Sequence, residues 1–171
     1  LWPHNLTLSR LVARSLRRKD NTFIQLDLGS QNAWWIGVLL PLCLEQFDTV
    51  LLISNRQRRR ILRYEIPKLK SEELALACWE GEDAPIKKQL WLVNYDEFIN
   101  LCKQKKLEGK QVIIPEADLL NKRLREAMQI TISTNEWEIL RRAHPSAEGL
   151  ILKINGLIKE NILSRKNIKN R

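Results

Sequence analysis

The chain has 171 residues, of which 44% are hydrophobic, and its net charge is +9. This length and apolar content predict a folded domain with its own core and exclude an intrinsically disordered chain. The basic surplus indicates either a solvated basic surface or a polyanionic partner, of which nucleic acid is the commonest.

Several classes of protein are not expected. The first residues lack the apolar segment of a secretory signal, and no apolar run is long enough to cross a bilayer, so we expect a cytoplasmic protein with no membrane partner. Cys43, Cys78 and Cys102 are odd in number and far apart, which argues against zinc, an iron–sulfur cluster and a disulfide framework. Because the chain begins at Leu1, we expect it to be part of a longer protein.

The predicted elements begin with a helix. Apolar residues between positions 8 and 16 recur at helical spacing, and Asn5 or Thr7 can cap this helix. Residues 23–28 form a short apolar run that predicts a strand. Residues 32–46 are apolar on nearly all sides, which predicts a buried helix bent at its proline.

The middle of the chain contains the clearest strand. Residues 49–54, TVLLIS, predict a buried strand, and the basic residues 57–64 predict a helix that ends before Pro67. Residues 71–79 are predicted to be helical, and residues 81–88 are predicted to form a polar loop.

Predicted strands and helices also alternate in the rest of the chain. Strands are predicted at residues 90–94 and 111–114, the second of them buried, and at a sheet edge at residues 128–133. Helices are predicted at residues 95–106, from Thr134 onwards and at residues 149–164. Short β-rich runs that alternate with helices predict an α/β fold with a mainly parallel sheet flanked by helices. We expect one domain over residues 1–148, followed by a C-terminal helix and basic tail over residues 149–171.

Ligands of parallel sheets bind at the carboxyl ends of the strands, so the residues that directly follow the predicted strands are candidate site residues. They are residues 27–32, 54–57, 94–97 and 115–118. The basic residues are concentrated in three clusters, which lie within residues 10–19, 56–63 and 153–171.

The chain resembles DinG-type superfamily 2 ATP-dependent DNA helicases, in particular a cyanobacterial group of them, in two segments. These are WPHNLTLSRLVARSLRRKDNTFIQLDLGSQNAWWIGVLLPLCL near the start and QVIIPEADLLNKRLREAMQITISTNEW, which is similar to the DEAH-box region of that family. The resemblance implies a RecA-like, P-loop NTPase-like first motor domain, with ATP and Mg²⁺ as cofactors. It also implies single-stranded DNA as a partner and a second RecA-like domain elsewhere in a longer chain.

The resemblance places the family's phosphate loop on residues 29–33, GSQNA. Gly29 keeps one loop glycine and Ser30 continues the turn, whereas Gln31 replaces another glycine. Asn32 stands where the family has its phosphate-binding lysine, and Ala33 stands where it has the metal-ligating Ser or Thr. An amide cannot supply the lost positive charge and a methyl group cannot bind a metal, so we expect ATP and Mg²⁺ to bind weakly or not at all. An ordinary strand-to-helix turn remains the alternative interpretation.

The resemblance also places the DEAH box on residues 115–118, PEAD. Glu116 keeps the family's catalytic glutamate, but Pro115 replaces the metal-binding aspartate and Asp118 replaces the histidine. The alternative for Glu116 and Asp118 is helix capping after a buried strand. His4 stands where the family has its adenine-reading glutamine.

The run RQRRR follows the predicted strand 49–54, where the family contacts the nucleic-acid backbone. The resemblance therefore implies that the site contains the residues Ser54, Arg56, Arg58, Arg59 and Arg60, which would bind phosphates without reading sequence. A solvated basic helix is the alternative. Trp34 and Trp35 are predicted to be core residues rather than a base-stacking platform.

The resemblance implies the N-terminal motor-domain part of a DinG-like DNA helicase that binds nucleic acid, and the substituted motif residues predict impaired ATP hydrolysis in this domain. One alternative is an active ATP-dependent helicase with a divergent phosphate loop. The other is a non-catalytic protein-interaction module whose basic clusters serve solubility.

Overall fold

A computed structural model of the chain describes residues 4–26, 34–129 and 133–169, with side chains described as far as Asn161. The chain forms two compact units, Leu1–Met128 and Gln129–Arg171. The boundary predicted after residue 148 falls inside the second unit.

The first unit is built on a four-stranded sheet. Its strands are β1 (Thr49–Leu52), β2 (Cys78–Trp79), β3 (Leu90–Val93) and β4 (Gln111–Ile113). They are arranged in the order β2-β3-β1-β4, and all three neighbouring pairs are parallel. The predicted α/β fold with a parallel sheet is therefore confirmed, and this sheet is compatible with a RecA-like domain.

Six α-helices belong to the described part of the first unit. They are α1 (Asn5–Arg18), α2 (Trp35–Leu44), α3 (Asn55–Arg60), α4 (Ile66–Ser71), α5 (Tyr95–Lys103) and α6 (Leu120–Ala127). A π-helical turn, Ile61–Glu65, joins α3 to α4, and a 3₁₀ turn, Ala117–Leu119, precedes α6.

Successive side chains of a strand point to opposite faces of the sheet. Helices cover both of these faces. On one face, Leu51 and Leu92 pack in a core with Trp35, Leu39 and further residues of α1, α2 and α4. On the other face, Val50, Trp91 and Val93 pack against Leu101 of α5. Trp34 and Trp35 are buried and stacked at 4.3 Å between ring centroids, so their prediction as core residues is confirmed.

The sheet has a point where the chain leaves two neighbouring strands in opposite directions. From β1 the chain passes through α3 and α4 on the first face to β2, at one edge. From β3 it passes through α5 on the second face to β4, at the other edge. The crevice between the carboxyl ends of β1 and β3 is thus a topological switch point, where ligands of open parallel sheets bind.

Helix α1 begins at Asn5, and its capping residue is His4, whose side chain makes no cap hydrogen bond, so the predicted caps were wrong. The side chain of Asn5 instead accepts a hydrogen bond from the backbone N–H of Gly37 at 3.0 Å. A Cβ added to Gly37 would lie 2.9 Å from the Asn5 carbonyl oxygen and 2.9 Å from the Leu8 side chain. The missing side chain therefore allows α1 and α2 to pack closely.

The strand predicted at residues 23–28 is not formed over residues 23–26, and residues 27 and 28 lie outside the described residues. Phe23 is 76% exposed, whereas Ile24 and Leu26 pack against the core. The apolar run therefore covers the core as irregular chain, without a strand partner among the described residues.

The helix predicted at residues 71–79 was also wrong. Glu73 adopts a left-handed conformation with φ of 60°, and the N–H of Leu74 donates to the carbonyl of Leu69 at 3.0 Å. This arrangement ends α4 at Ser71, and the chain then runs as an irregular segment into β2.

The structure differs from the predictions in the position of a helix end near Pro67 and in the burial of β4. The helical segment continues past Pro67, because the π-helical turn resets the hydrogen-bond register and places Pro67 in the first turn of α4, where its missing N–H is tolerated. Strand β4 was predicted to be buried, but Val112 is 37% exposed because β4 is an edge strand. In the strand predicted at 128–133, residues 128 and 129 are not in a strand, and residues 130–132 lie outside the described residues.

The second unit contains α7 (Thr134–Ala143), a 3₁₀ turn (Pro145–Ala147) and α8 (Glu148–Lys169). Ser133 caps α7: its hydroxyl accepts from the Glu136 N–H at 3.2 Å, and the Glu136 carboxylate accepts from the Ser133 N–H at 2.5 Å. The predicted helices from Thr134 and at 149–164 are both confirmed.

Candidate functional site

A crevice of about 290 Å³ lies at the switch point. Ser54 and Asn55, which follow β1, line one side, and Asn94, Tyr95 and Asp96, which follow β3, line another. The structure therefore brings together two of the four segments that the sequence marked as candidate site residues, 54–57 and 94–97.

Reciprocal capping fixes both of these segments. The Ser54 hydroxyl accepts from the Gln57 N–H at 3.3 Å, and the Gln57 side chain accepts from the Ser54 N–H at 2.9 Å. Asn94 and Glu97 form the same pair at the start of α5, with both distances 2.8 Å. Each capping side chain satisfies a backbone N–H that the helix itself leaves unpaired. The Ser54 hydroxyl, predicted to contact nucleic acid, therefore already holds the start of α3.

Two of the four predicted arginines are engaged within the fold. The guanidinium of Arg58 is only 12% exposed and forms a two-point ion pair with the Glu97 carboxylate, with Nη1 at 3.2 Å from Oε1 and Nη2 bonded to Oε2. Arg60 pairs through Nε with the buried carboxylate of Glu65 at 3.4 Å. These two ion pairs connect α3 to α5 and to the π-helical turn, so both arginines stabilise the fold.

The remaining arginines of the run point to solvent. Arg56 and Arg59 are exposed, and so is Arg63, which sequence reasoning placed in the basic cluster but not in the site. They lie three and four residues apart along the helical segment, Arg56 and Arg59 in α3 and Arg63 in the π-helical turn. No ion pair to any of them is formed among the residues that the structure describes. We call Arg56, Arg59 and Arg63 the arginine face.

Two residues that line the crevice each contain a buried polar atom without a hydrogen-bond partner among the described residues. Tyr95 is 6% exposed, and its hydroxyl has no hydrogen-bond partner within the described part of the chain. Arg123, from α6, also lines the crevice, and its Nε is buried without a partner there. Burial raises the pKa of the Tyr95 hydroxyl, and the nearby charge of Glu116 raises it further, while Arg123 opposes this change. The hydroxyl therefore stays protonated at neutral pH.

The residues of the predicted ATP site are only partly placed. Glu116 is half-buried and Asp118 is exposed in the 3₁₀ turn before α6, and both are close enough to raise the pKa of Tyr95. Glu116 occupies the position before that turn without a side-chain capping bond. The remnant Gly29, Ser30, Gln31, Asn32 and Ala33 lies outside the described residues. His4 is exposed at the start of α1.

Other classes of site are not seen among the described residues. They contain no group of three or more His, Cys, Asp or Glu side chains that could hold a metal ion. No helix formed by them is long and apolar enough to span a membrane. Cys43 and Cys78 are half-buried free thiols, and burial raises the pKa of Cys78 to about 12, so both lack the character of reactive nucleophiles. Comparisons with protein-family models, curated proteins and solved structures find no match to this chain.

Proposed function

We propose that this chain is the N-terminal motor-domain part of a DinG-like DNA helicase and that it binds single-stranded nucleic acid through the arginine face. The observation that carries the proposal is the position of Arg56, Arg59 and Arg63. They are exposed, lack carboxylate partners among the described residues, and lie on the helical segment that follows the central strand β1. Guanidinium groups in this state are free to pair with phosphates.

The fold supports the same proposal. The arginine face begins next to Asn55, at the edge of the switch-point crevice, where ligands of parallel sheets bind. Arg58 and Arg60 contribute indirectly, because their ion pairs hold the helical segment in place. A strand bound here would be held by its backbone and not by its sequence.

ATP hydrolysis is not part of the proposed activity. Pro115 has no ligand atom at the position of the family's metal-binding aspartate, and Asn32 and Ala33 supply neither a positive charge nor a hydroxyl. The residues present do not fit Mg²⁺-ATP, so we propose nucleic-acid binding without efficient turnover by this domain. In the proposed parent protein, a second RecA-like domain would complete the motor.

The test is titration of a fluorescently labelled single-stranded oligonucleotide with the wild type and with an Arg56→Ala, Arg59→Ala, Arg63→Ala variant, followed by anisotropy. At about 0.5 kcal/mol for each exposed phosphate contact, the variant should bind about tenfold more weakly. The matched control replaces Lys87, Lys103 and Lys105 with alanine. These lysines are exposed, have no ion pair among the described residues, and carry the same total charge.

Two outcomes would contradict the proposal. Equal losses in both triple variants would mean that overall charge, and not the arginine face, drives binding. Absence of binding by the wild type even at low salt would favour a protein-interaction module instead.

One specific observation supports that second candidate. Leu150, Ile154, Leu157 and Ile158 of α8 are between 41% and 61% exposed and recur at helical spacing. An exposed apolar stripe of this kind is typical of a surface that packs against another protein. Capture of a protein partner by the wild type, but not by a Leu157→Lys variant, together with the absence of nucleic-acid binding, would favour this candidate.

A further inference from the structure

The arginine face lies beside an exposed aromatic ring. Tyr64 directly follows Arg63 in the π-helical turn, and it is 61% exposed. Ile61 and Glu65 of the same turn are buried, whereas Arg63 and Tyr64, which lie between them, are exposed. No cation and no second ring covers the Tyr64 ring within the described part of the chain. The ring is therefore open to a ligand on the surface that carries the arginines.

The surface around this ring is positively charged. Between Asn55 and Ser71 the chain has seven Lys or Arg residues and a single acid, Glu65. The Glu65 carboxylate is only 3% exposed, and it is paired with Arg60 at 3.4 Å and with Lys68 at 3.7 Å. This acid therefore presents no negative charge to solvent, and a partner that binds here is expected to be anionic.

The partner that fits this surface combines negative charge with a flat ring. Guanidinium groups pair with phosphates, and an exposed aromatic side chain stacks on planar rings. A nucleotide of a single strand supplies a phosphate and an accessible base together. In a duplex the bases are already stacked on one another, so a duplex would offer this surface its phosphates alone.

We propose that the Tyr64 ring stacks on one unpaired base of a single strand whose phosphates are bound by the arginine face. This inference rests on the proposed function and adds the residue that contacts a base. Stacking on an aromatic side chain tolerates every base, because each base has a π face. The contact thus agrees with an interface that holds the backbone and does not read sequence.

The tryptophans of the first unit do not suit this role. Trp34 and Trp35 are buried, so neither can meet a base. Trp79 is 39% exposed, but its indole N–H donates to the carbonyl of Asp83 at 2.7 Å and so holds the ring to the loop that follows β2.

The test compares Tyr64→Leu and Tyr64→Phe with the wild type on two single-stranded oligonucleotides of equal length, one with normal bases and one made of abasic sites. Tyr64 is exposed, so neither change endangers folding. Loss of the ring in Tyr64→Leu should weaken binding of the normal oligonucleotide about fivefold or more and leave binding of the abasic one unchanged. Tyr64→Phe keeps the ring and should bind both as the wild type does. Because Tyr64→Leu removes no charge, its salt slope should also equal that of the wild type.

The matched control is Phe23→Leu. Phe23 is 76% exposed, and residues 20–26 contain no Lys or Arg, so loss of this ring should change binding of neither oligonucleotide. The inference alone is overturned if the wild type binds both oligonucleotides equally, or if Tyr64→Leu weakens both to the same extent or neither. It is also overturned if Tyr64→Phe or Phe23→Leu loses as much affinity for the normal oligonucleotide as Tyr64→Leu does. Absence of binding to both oligonucleotides by the wild type would overturn the proposed function as well, and the two failures are therefore distinguishable.

Discussion

The RQRRR run contains both structural and solvent-facing arginines. We therefore predict that two adjacent substitutions differ in how far they lower the free energy of unfolding. Arg58→Ala removes a guanidinium that is 12% exposed and holds the Glu97 carboxylate at two points. Arg59→Ala removes an exposed guanidinium with no ion pair among the described residues. Both changes delete the same charge from the same turn of α3, so any difference in stability reports the ion pair and the packing around it.

The expected magnitude lies between two limits. Breaking a fully buried ion pair costs about 3–5 kcal/mol, and breaking an exposed one costs about 0–1 kcal/mol. Glu97 is 35% exposed and would still accept the Asn94 N–H at 2.8 Å after the arginine is lost, so its carboxylate stays partly solvated. We therefore expect Arg58→Ala to lower the free energy of unfolding by about 1–2 kcal/mol. Arg59→Ala should change it by less than about 0.5 kcal/mol.

The assay is urea unfolding followed by tryptophan fluorescence, which reports on the core because Trp34, Trp35 and Trp91 are buried in the first unit. Arg58→Ala should shift the transition midpoint to lower urea without changing its slope. If the two variants unfold at the same urea concentration, the ion pair does not stabilise the fold, and the separation of structural from binding arginines is refuted.

The packing, the thiols and the degenerate ATP motifs give four further predictions. Gly37→Ala should destabilise the first unit by about 1–3 kcal/mol in urea unfolding, because the new Cβ would meet Asn5 and Leu8 at 2.9 Å; unchanged stability would contradict the close packing of α1 and α2. Cys102 is exposed and should react first with a thiol reagent at pH 8, whereas Cys78, with its pKa raised by burial to about 12, should react only on unfolding. The raised pKa means that the folded state favours the protonated Cys78 thiol. Its contribution to the free energy of unfolding is therefore complete below about pH 9 and is lost as the pH rises towards 12. A free energy of unfolding that does not change above pH 9 would contradict this. Calorimetric titration with ATP and Mg²⁺ should release no binding heat, and saturable Mg²⁺-dependent binding would instead favour an active helicase.

The strands that sequence analysis predicted correctly are those with an unambiguous pattern. Apart from Thr49, residues 49–52 and 90–93 are continuous apolar runs, and both became central, fully buried strands. The incorrect elements depended on tertiary context. Residues 71–79 contain good helix formers, but a left-handed residue at Glu73 ends the helix, and the following Leu74 and Leu76 cover the core instead. Residues 23–26 form no strand in the described structure, because an apolar run becomes a strand only when a neighbour supplies hydrogen bonds.

The sequence predicted where the candidate crevice lies, but not which side chains around it are engaged within the fold. The rule that ligands bind after parallel strands identified residues 54–57 and 94–97, which the structure brings together. The sequence could not show which arginines of the run are free, because Arg58 finds its partner Glu97 39 residues later in the chain. The burial of the Tyr95 hydroxyl and the Arg123 Nε was not predicted either, since burial without a hydrogen-bond partner has no signature in the sequence.

The salt dependence of nucleic-acid binding tests the central claim most directly. Each phosphate contact to a single strand contributes about 0.7 to the slope of log affinity against log salt, so removal of Arg56, Arg59 and Arg63 should reduce the slope by roughly 2. The control variant at Lys87, Lys103 and Lys105 should keep the wild-type slope. A slope that is the same for the wild type and the arginine-face variant would contradict the assignment of the arginine face as the nucleic-acid interface.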